Sequence, residues 1–181
     1  VIVTHQDWDH TGLLPDILRV GDGIQIYAHR LEKPYIERTR PDYKLTPEKI
    51  AARIAALPPA VRDKAAAVFS SLPAAPVHHL LEDGDVIPAH GGLEIIHVPG
   101  HTPGNLCLYL KTLRLLIAGD QLRVVDGALV GPAPEHTPDL PLARRSLAKL
   151  LRYDIDRVFC YHGGPWGPNA AARIAALAAE K

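Results

Sequence analysis

The sequence predicts an α+β domain, and two observations favour this class. Short apolar runs bounded by Gly, Asp or Pro, such as 93–98 and 106–110, are typical of strands. Longer stretches with apolar residues three and four apart, at 45–72 and 169–181, are typical of helices. The length of 181 residues fits a single domain, and hydrophobic residues at 47% are enough to build a buried core.

The first half of the chain alternates between strands and helices. The β-branched run 1–4 predicts a strand, 12–19 a short helix and 24–28 an alternating strand. Thr46, followed by proline, is the predicted N-cap of a helical hairpin that spans 45–72 and is interrupted by two further prolines. This hairpin is interpreted as a pair of outer helices, a cap over a functional site or a dimer face.

The second half is richer in strands. The predicted strands are 77–81, 93–98, 106–110, 115–118 and 157–161. Asp126-Gly127 lies between two short apolar pairs and predicts a hairpin with a two-residue turn. A helix is predicted over 137–151, and an Ala-rich helix is predicted to close the chain at 169–181.

The charge balance excludes several functions. Lys+Arg and Asp+Glu are each 20, so the net charge is zero, and the chain lacks the basic field that sequence-independent nucleic-acid binding uses. It also lacks a polybasic run for an anionic membrane and an apolar stretch near the ~20 residues that cross a bilayer. Cys107 and Cys160 lie in apolar runs and are predicted to be buried thiols. We therefore expect a cytoplasmic protein.

One polar motif carries four metal-ligand types within six residues. His5, Asp7, Asp9 and His10 follow the first predicted strand and precede a helix, where a rigid scaffold can direct side chains at one point. The alternative is a solvated loop in which Asp9 caps the next helix.

Three more candidates follow apolar strands in the same way. His101 stands in Gly-His-Thr-Pro-Gly after 93–98, Asp120 follows a glycine after 115–118, and His162 precedes two glycines after the last predicted strand. Glycine at these places permits tight turns and close approach of the backbone to a bound species. Four strand ends that each offer His or Asp predict a metal site at one edge of the sheet.

These motifs, in this order over residues 1 to about 164, resemble the metallo-β-lactamase superfamily of metallo-hydrolases. The resemblance implies an αββα sandwich of two mixed β-sheets with outer helices, and a two-metal site at one edge. By that resemblance the first metal would be held by His5, Asp7 and His101. The second would be held by Asp9, His10 and His162, with Asp120 bridging the two.

One departure from the family pattern concerns the metal. The common pattern has histidine where Asp7 stands, and a carboxylate shifts a site toward harder ions. We therefore expect the first position to hold Zn²⁺, Fe or Mn²⁺ or to be weakly filled, and the second position to hold Zn²⁺. A water between two cations loses a proton near neutral pH, and the hydroxide attacks a carbonyl or phosphoryl centre.

The predicted function is a dinuclear metallo-hydrolase of a small ester, lactone or thioester, with Asp9 and Asp120 as catalytic residues. Trp8 and Tyr161 are candidate substrate contacts, although packed aromatic side chains are the alternative. The alternative function is an iron-dependent oxidoreductase that resembles the persulfide dioxygenases. A third possibility is a non-catalytic protein in which the metal only stabilises the fold.

The family fold normally begins with several strands and a helix before the first motif. We therefore expect the amino-terminal portion of the domain to be missing from this chain. The first sheet would then have an exposed edge, which would favour pairing with a second copy as a homodimer.

Overall fold

The structure is a computed structural model, and it describes residues 1–180. Eleven strands are formed within these residues. They are β1 (Ile2–Val3), β2 (Tyr27–His29), β3 (His79–Leu81), β4 (Val86–Ile87), β5 (Leu93–His97), β6 (Leu106–Leu110), β7 (Leu115–Gly119), β8 (Arg123–Val125), β9 (Ala128–Val130), β10 (Arg157–Cys160) and β11 (Gly164–Trp166).

Helices connect and cover these strands. They are α1 (Trp8–Thr11), α2 (Leu14–Val20), α3 (Lys33–Ile36), α4 (Pro47–Ala56), α5 (Pro59–Ser70), α6 (Leu140–Ser146) and α7 (Ala170–Ala179). Short 3-10 helices lie at Lys111–Leu113, Pro134–His136 and Leu147–Arg152. No helix within residues 1–180 is long and apolar enough to span a membrane.

The strands form two main sheets and one separate hairpin. The smaller sheet has the order β1-β2-β3, and its strands are parallel. The larger sheet has the order β11-β10-β7-β6-β5-β4 and is mixed, since β10 and β7 are parallel while the other pairs are antiparallel. β8 and β9 form the hairpin.

Alternating side chains divide the interior into three cores. In β6, Leu106 and Leu108 pack with Ile95 and Leu81 between the two sheets, while Cys107 belongs to the core on the opposite face. That second core lies under α7 and the 3-10 helix Leu147–Arg152. A third core packs α2 and α3 on the smaller sheet. The α+β class and the αββα sandwich are therefore confirmed.

Most predicted elements form close to the expected residues. Asp126 and Gly127 have φ values of 50° and 77°, which is the left-handed pair that a type I′ hairpin turn needs. The hairpin 45–72 forms as α4 and α5, with the Thr46 hydroxyl accepting a hydrogen bond from the Lys49 N–H at 3.4 Å. The predicted closing helix is formed as α7, and its last residue, Lys181, lies outside the described residues.

Four short elements of the structure were not predicted from the sequence. α1, α3 and β4 contain four residues or fewer, which is too short for a hydrophobic period to show in the sequence. β11 has the sequence Gly-Pro-Trp, which is typical of a turn, but it pairs antiparallel with β10 at the edge of the larger sheet. Cys107 and Cys160 are buried free thiols, as predicted.

Candidate metal centre

The topology brings the predicted motifs to one edge of the sandwich. β7 is parallel to β10, and β5 and β7 run in the same direction because both are antiparallel to β6. All three strands therefore end at the same edge of the larger sheet. His101, Asp120 and His162 follow these three carboxyl ends. The segment after β1 reaches the same edge, where the Leu106 N–H donates to the Thr4 carbonyl at 3.0 Å.

A glycine conformation fixes the start of the His101 turn. Gly100 has a φ of 130°, and a Cβ atom there would collide with the backbone of Ala143 in the middle of α6. Only glycine fits this close approach, which sets His101 directly after β5 and against α6.

The first of two side-chain groups comprises His5, Asp7, His101 and Asp120. The Oδ2 atom of Asp7 lies 3.6 Å from His5 Nε2 and 3.2 Å from His101 Nε2. The Oδ2 atom of Asp120 lies 3.8 Å and 3.4 Å from the same two nitrogens. His5 and His101 are almost completely buried.

The second group comprises Asp9, His10 and His162. The Oδ2 atom of Asp9 lies 3.4 Å from His10 Nε2 and 3.6 Å from His162 Nε2. Asp120 also reaches this group, with Oδ1 at 3.4 Å from His10 Nε2 and Oδ2 at 3.3 Å from His162 Nε2. Asp120 is thus the carboxylate that both groups share.

Threonines orient two of the imidazoles. His5 Nδ1 lies 3.0 Å from the Thr4 hydroxyl, and His101 Nδ1 lies 3.1 Å from the Thr137 hydroxyl. A hydrogen bond at Nδ1 fixes the ring and leaves the Nε2 lone pair to face the centre of the group.

Three buried polar atoms in these groups have no hydrogen-bond partner among residues 1–180: His5 Nε2, His10 Nε2 and Asp120 Oδ1. Buried polar atoms are nearly always paired, because an unpaired one loses its hydration without compensation. A nitrogen lone pair and a carboxylate oxygen that converge without a donor are the ligand set that divalent cations take. The residues therefore fit bound metal ions.

The electrostatics agree with a cation site. Burial raises the pKa of Asp7 and Asp120, but the close contacts of Asp7 with His101 and of Asp120 with His10, together with other nearby charges, outweigh it and hold both pKa values well below the usual range. Burial lowers the pKa of His5, which favours the neutral imidazole that can bind a cation. For His10, burial lowers the pKa but the contacts with Asp120 outweigh it and raise the pKa.

Lys44 contacts the first group, and the sequence motifs did not identify it. Its Nζ atom lies 2.5 Å from Asp7 Oδ2 and 2.7 Å from His101 Nε2. Lys44 lies in the loop before α4, 37 residues from Asp7, and no motif surrounds it.

Glu32 is a second such residue. It is fully buried, and its carboxylate accepts the backbone N–H of Gln6 at 2.8 Å and of Gly104 at 2.6 Å. One side chain therefore joins the loop that carries His5 to the loop that carries His101.

A cavity of about 370 Å³ opens over both groups. Trp8, Leu45, Arg53, Arg123 and His136 contribute to its walls, beside the exposed faces of the two groups. The structure thus places Trp8 at the cavity. Tyr161 instead stacks on the imidazole of His10, with ring centroids 5.2 Å apart.

The sequence model of one protein family, described as the metallo-beta-lactamase superfamily, matches residues 1–162. This chain belongs to that superfamily. It is 30% identical over 190 residues to the probable metallo-hydrolase YflN of Bacillus subtilis (strain 168), with 98% of this chain and 69% of YflN covered. It is 30% identical over 99 residues to the human acyl-coenzyme A thioesterase MBLAC2, with 53% of this chain and 35% of that protein covered.

A solved structure has the same fold. The crystal structure of TTHA1623 in a di-iron-bound form superposes with a TM-score of 0.63 and 25% identity, covering 96% of this chain and 74% of that one. The chain thus spans most of YflN and TTHA1623 and about a third of MBLAC2. Membership of a metallo-hydrolase superfamily, together with the His/Asp groups, indicates a metal-dependent hydrolase.

Proposed function

We propose that this chain hydrolyses the ester, lactone or thioester carbonyl of a small molecule with two divalent cations. The observation that carries the proposal is the set of converging, unpartnered, buried ligand atoms on His5, His10 and Asp120. The first position would be held by His5, Asp7 and His101, the second by Asp9, His10 and His162, and Asp120 would be shared.

The donor sets differ between the positions. The two histidines and two carboxylates at the second position suit Zn²⁺, while Asp7 makes the first position acceptable to Zn²⁺, Fe or Mn²⁺. The di-iron form of TTHA1623 supports iron as a candidate. When bound, the cations would lower the pKa of a water molecule and stabilise the negative charge that develops on the carbonyl oxygen.

The protein side chains supply the remaining parts of the reaction. The Asp9 side chain is 42% exposed, faces the cavity and has Oδ2 near His10 and His162. It is placed to accept the proton of the attacking water and to return it to the leaving alcohol or thiol as the single bond between the carbonyl carbon and the leaving oxygen or sulfur breaks. Asp120 holds the two histidine groups at a fixed separation.

The cavity fits a small substrate. Its volume lies in the range of small-molecule sites, and it combines apolar walls at Trp8 and Leu45 with cations at Arg53 and Arg123. Leu45 and Arg53 come from the start of the helical hairpin 45–72, which supports its proposed role as a cap. The name of MBLAC2 supports a thioester as one substrate to test.

The test combines an elemental count per chain with a hydrolysis panel of esters, lactones and thioesters on the same sample. His10→Ala and Asp120→Asn should each reduce turnover by at least about 100-fold, because each removes a ligand of the second position. Asp16→Asn makes the same chemical change on the surface and should keep full activity.

Two results would contradict the proposal. Stoichiometric iron with oxygen consumption would indicate the oxidoreductase alternative. A metal-loaded protein that hydrolyses nothing in the panel would indicate a metal that only stabilises the fold.

A further inference from the structure

We propose that Lys44 is a built-in cation that competes for the first metal position, so that the two positions load in order, the second before the first. This inference rests on the proposed function, since it takes its two metal positions from there. It concerns the one lysine that reaches into the His/Asp cluster within residues 1–180.

The ammonium group of Lys44 uses two of the atoms that the first position needs. Its Nζ atom donates to Asp7 Oδ2 at 2.5 Å and to His101 Nε2 at 2.7 Å. The Lys44 side chain is only 13% exposed, so these bonds are screened little by water. A divalent cation at this position must therefore displace a positive charge and break both bonds before it can bind.

The backbone around Lys44 is fixed. Asp42 Oδ1 accepts the N–H groups of Lys44 and Leu45 at 2.9 and 2.8 Å. Asp42 Oδ2 in turn accepts from Arg38 at 2.9 Å, and Gln6 Oε1 accepts the N–H of Tyr43 at 3.4 Å. The loop thus directs the lysine inward, and its position does not depend on a flexible surface segment.

In the part of the chain that the structure describes, the second position has no such competitor. Within residues 1–180, the ion pairs of Asp9 and Asp120 are all with histidines. At the first position, the carboxylate of Asp7 pairs with the ammonium group of Lys44, whereas a neutral imidazole in its place would not supply the negative charge. Asp7 and Lys44 therefore act as a matched pair that favours a form with one metal ion.

The experiment measures metal binding rather than turnover. Metal-free protein is dialysed against a series of free Co²⁺ concentrations, and bound cobalt per chain is determined by elemental analysis. The wild type should bind two ions in steps at least about tenfold apart in free Co²⁺, and Lys44→Met should tighten the weaker step by at least about tenfold. Lys44→Gln is a second variant in case the first does not fold.

Controls assign the steps. Arg53→Met removes another cation from the same cavity without touching Asp7 and should bind cobalt like the wild type. His101→Ala should remove the weaker step and leave the tighter one. Two results would overturn the inference about Lys44 without affecting the proposed function. One is a wild type that binds both ions in a single step, and the other is a set of Lys44 variants whose weaker step has the same affinity as in the wild type. Absence of cobalt binding in every variant would overturn the proposed function as well.

Discussion

The buried carboxyl group of Glu32 should make the free energy of unfolding depend on pH. Burial raises the pKa of Glu32, and the hydrogen bonds from Gly104, Thr102 and Gln6 lower it. The effect of burial is larger, so the pKa is raised to about 7. Between the unfolded pKa near 4.5 and the folded value, the native state binds the proton and the unfolded state does not. The contribution of Glu32 to stability is therefore complete below about pH 4.5 and declines as the pH rises to 7, by up to about 3 kcal/mol.

Glu32→Gln isolates this effect, because glutamine does not titrate. Denaturant unfolding of the metal-free proteins at several pH values gives the difference in free energy of unfolding between wild type and variant. We expect the advantage of the wild type to shrink steadily from pH 4.5 to 7. A difference that stays constant over this range would show that Glu32 does not change its protonation.

The site residues differ in how far they could be predicted. His5, Asp7, Asp9 and His10 are close in sequence, so a local pattern identifies them. Glu32 and Lys44 act on the same loops through contacts that are 26 to 72 residues distant in sequence. Such contacts depend on how loops pack, and a single sequence carries no local signal for that.

At the scale of elements, one heptapeptide occurs in two environments. The sequence Ala-Ala-Arg-Ile-Ala-Ala-Leu occurs at 51–57 in the helical hairpin 45–72 and again at 171–177 in α7. In α7, Ile174 and Leu177 are buried in the main core, whereas α4 has no buried residue. The sequence predicts both helices equally well, but it does not show which of them packs on the sheet.

The same repeat provides a controlled experiment on local stability. Hydrogen exchange of the backbone amides should be at least about 100-fold faster in 54–57 than in 174–177, because opening α4 exposes little apolar surface while opening α7 disrupts the core. The identical sequence removes differences in intrinsic exchange rate within the repeat. Equal protection in the two segments would show that the hairpin is packed more firmly than its burial indicates.

At the scale of the whole molecule, the candidate site joins the two sheets. The His5 segment follows the smaller sheet, while His101, Asp120 and His162 follow the larger one. Most of the strands were predictable because each lies in a compact apolar run, and the resemblance predicted how they assemble. The edge strand β11 was not, because its Gly-Pro-Trp sequence forms a strand only through its pairing with β10. The proposed homodimer stays a prediction, which sedimentation of the purified chain would test.

A site that joins two sheets should couple metal binding to global stability. Ligands that bind only the native state stabilise it by about 2.7 kcal/mol at 100 times the dissociation constant, which for a domain of this size raises Tm by about 5–10 °C. Differential scanning calorimetry with Zn²⁺ and with a chelator should show this shift in the wild type and in Asp16→Asn. Asp120→Asn should lose most of it, because Asp120 contacts the histidines of both groups. An undiminished shift in Asp120→Asn would mean that the stabilising metal binds elsewhere on the molecule.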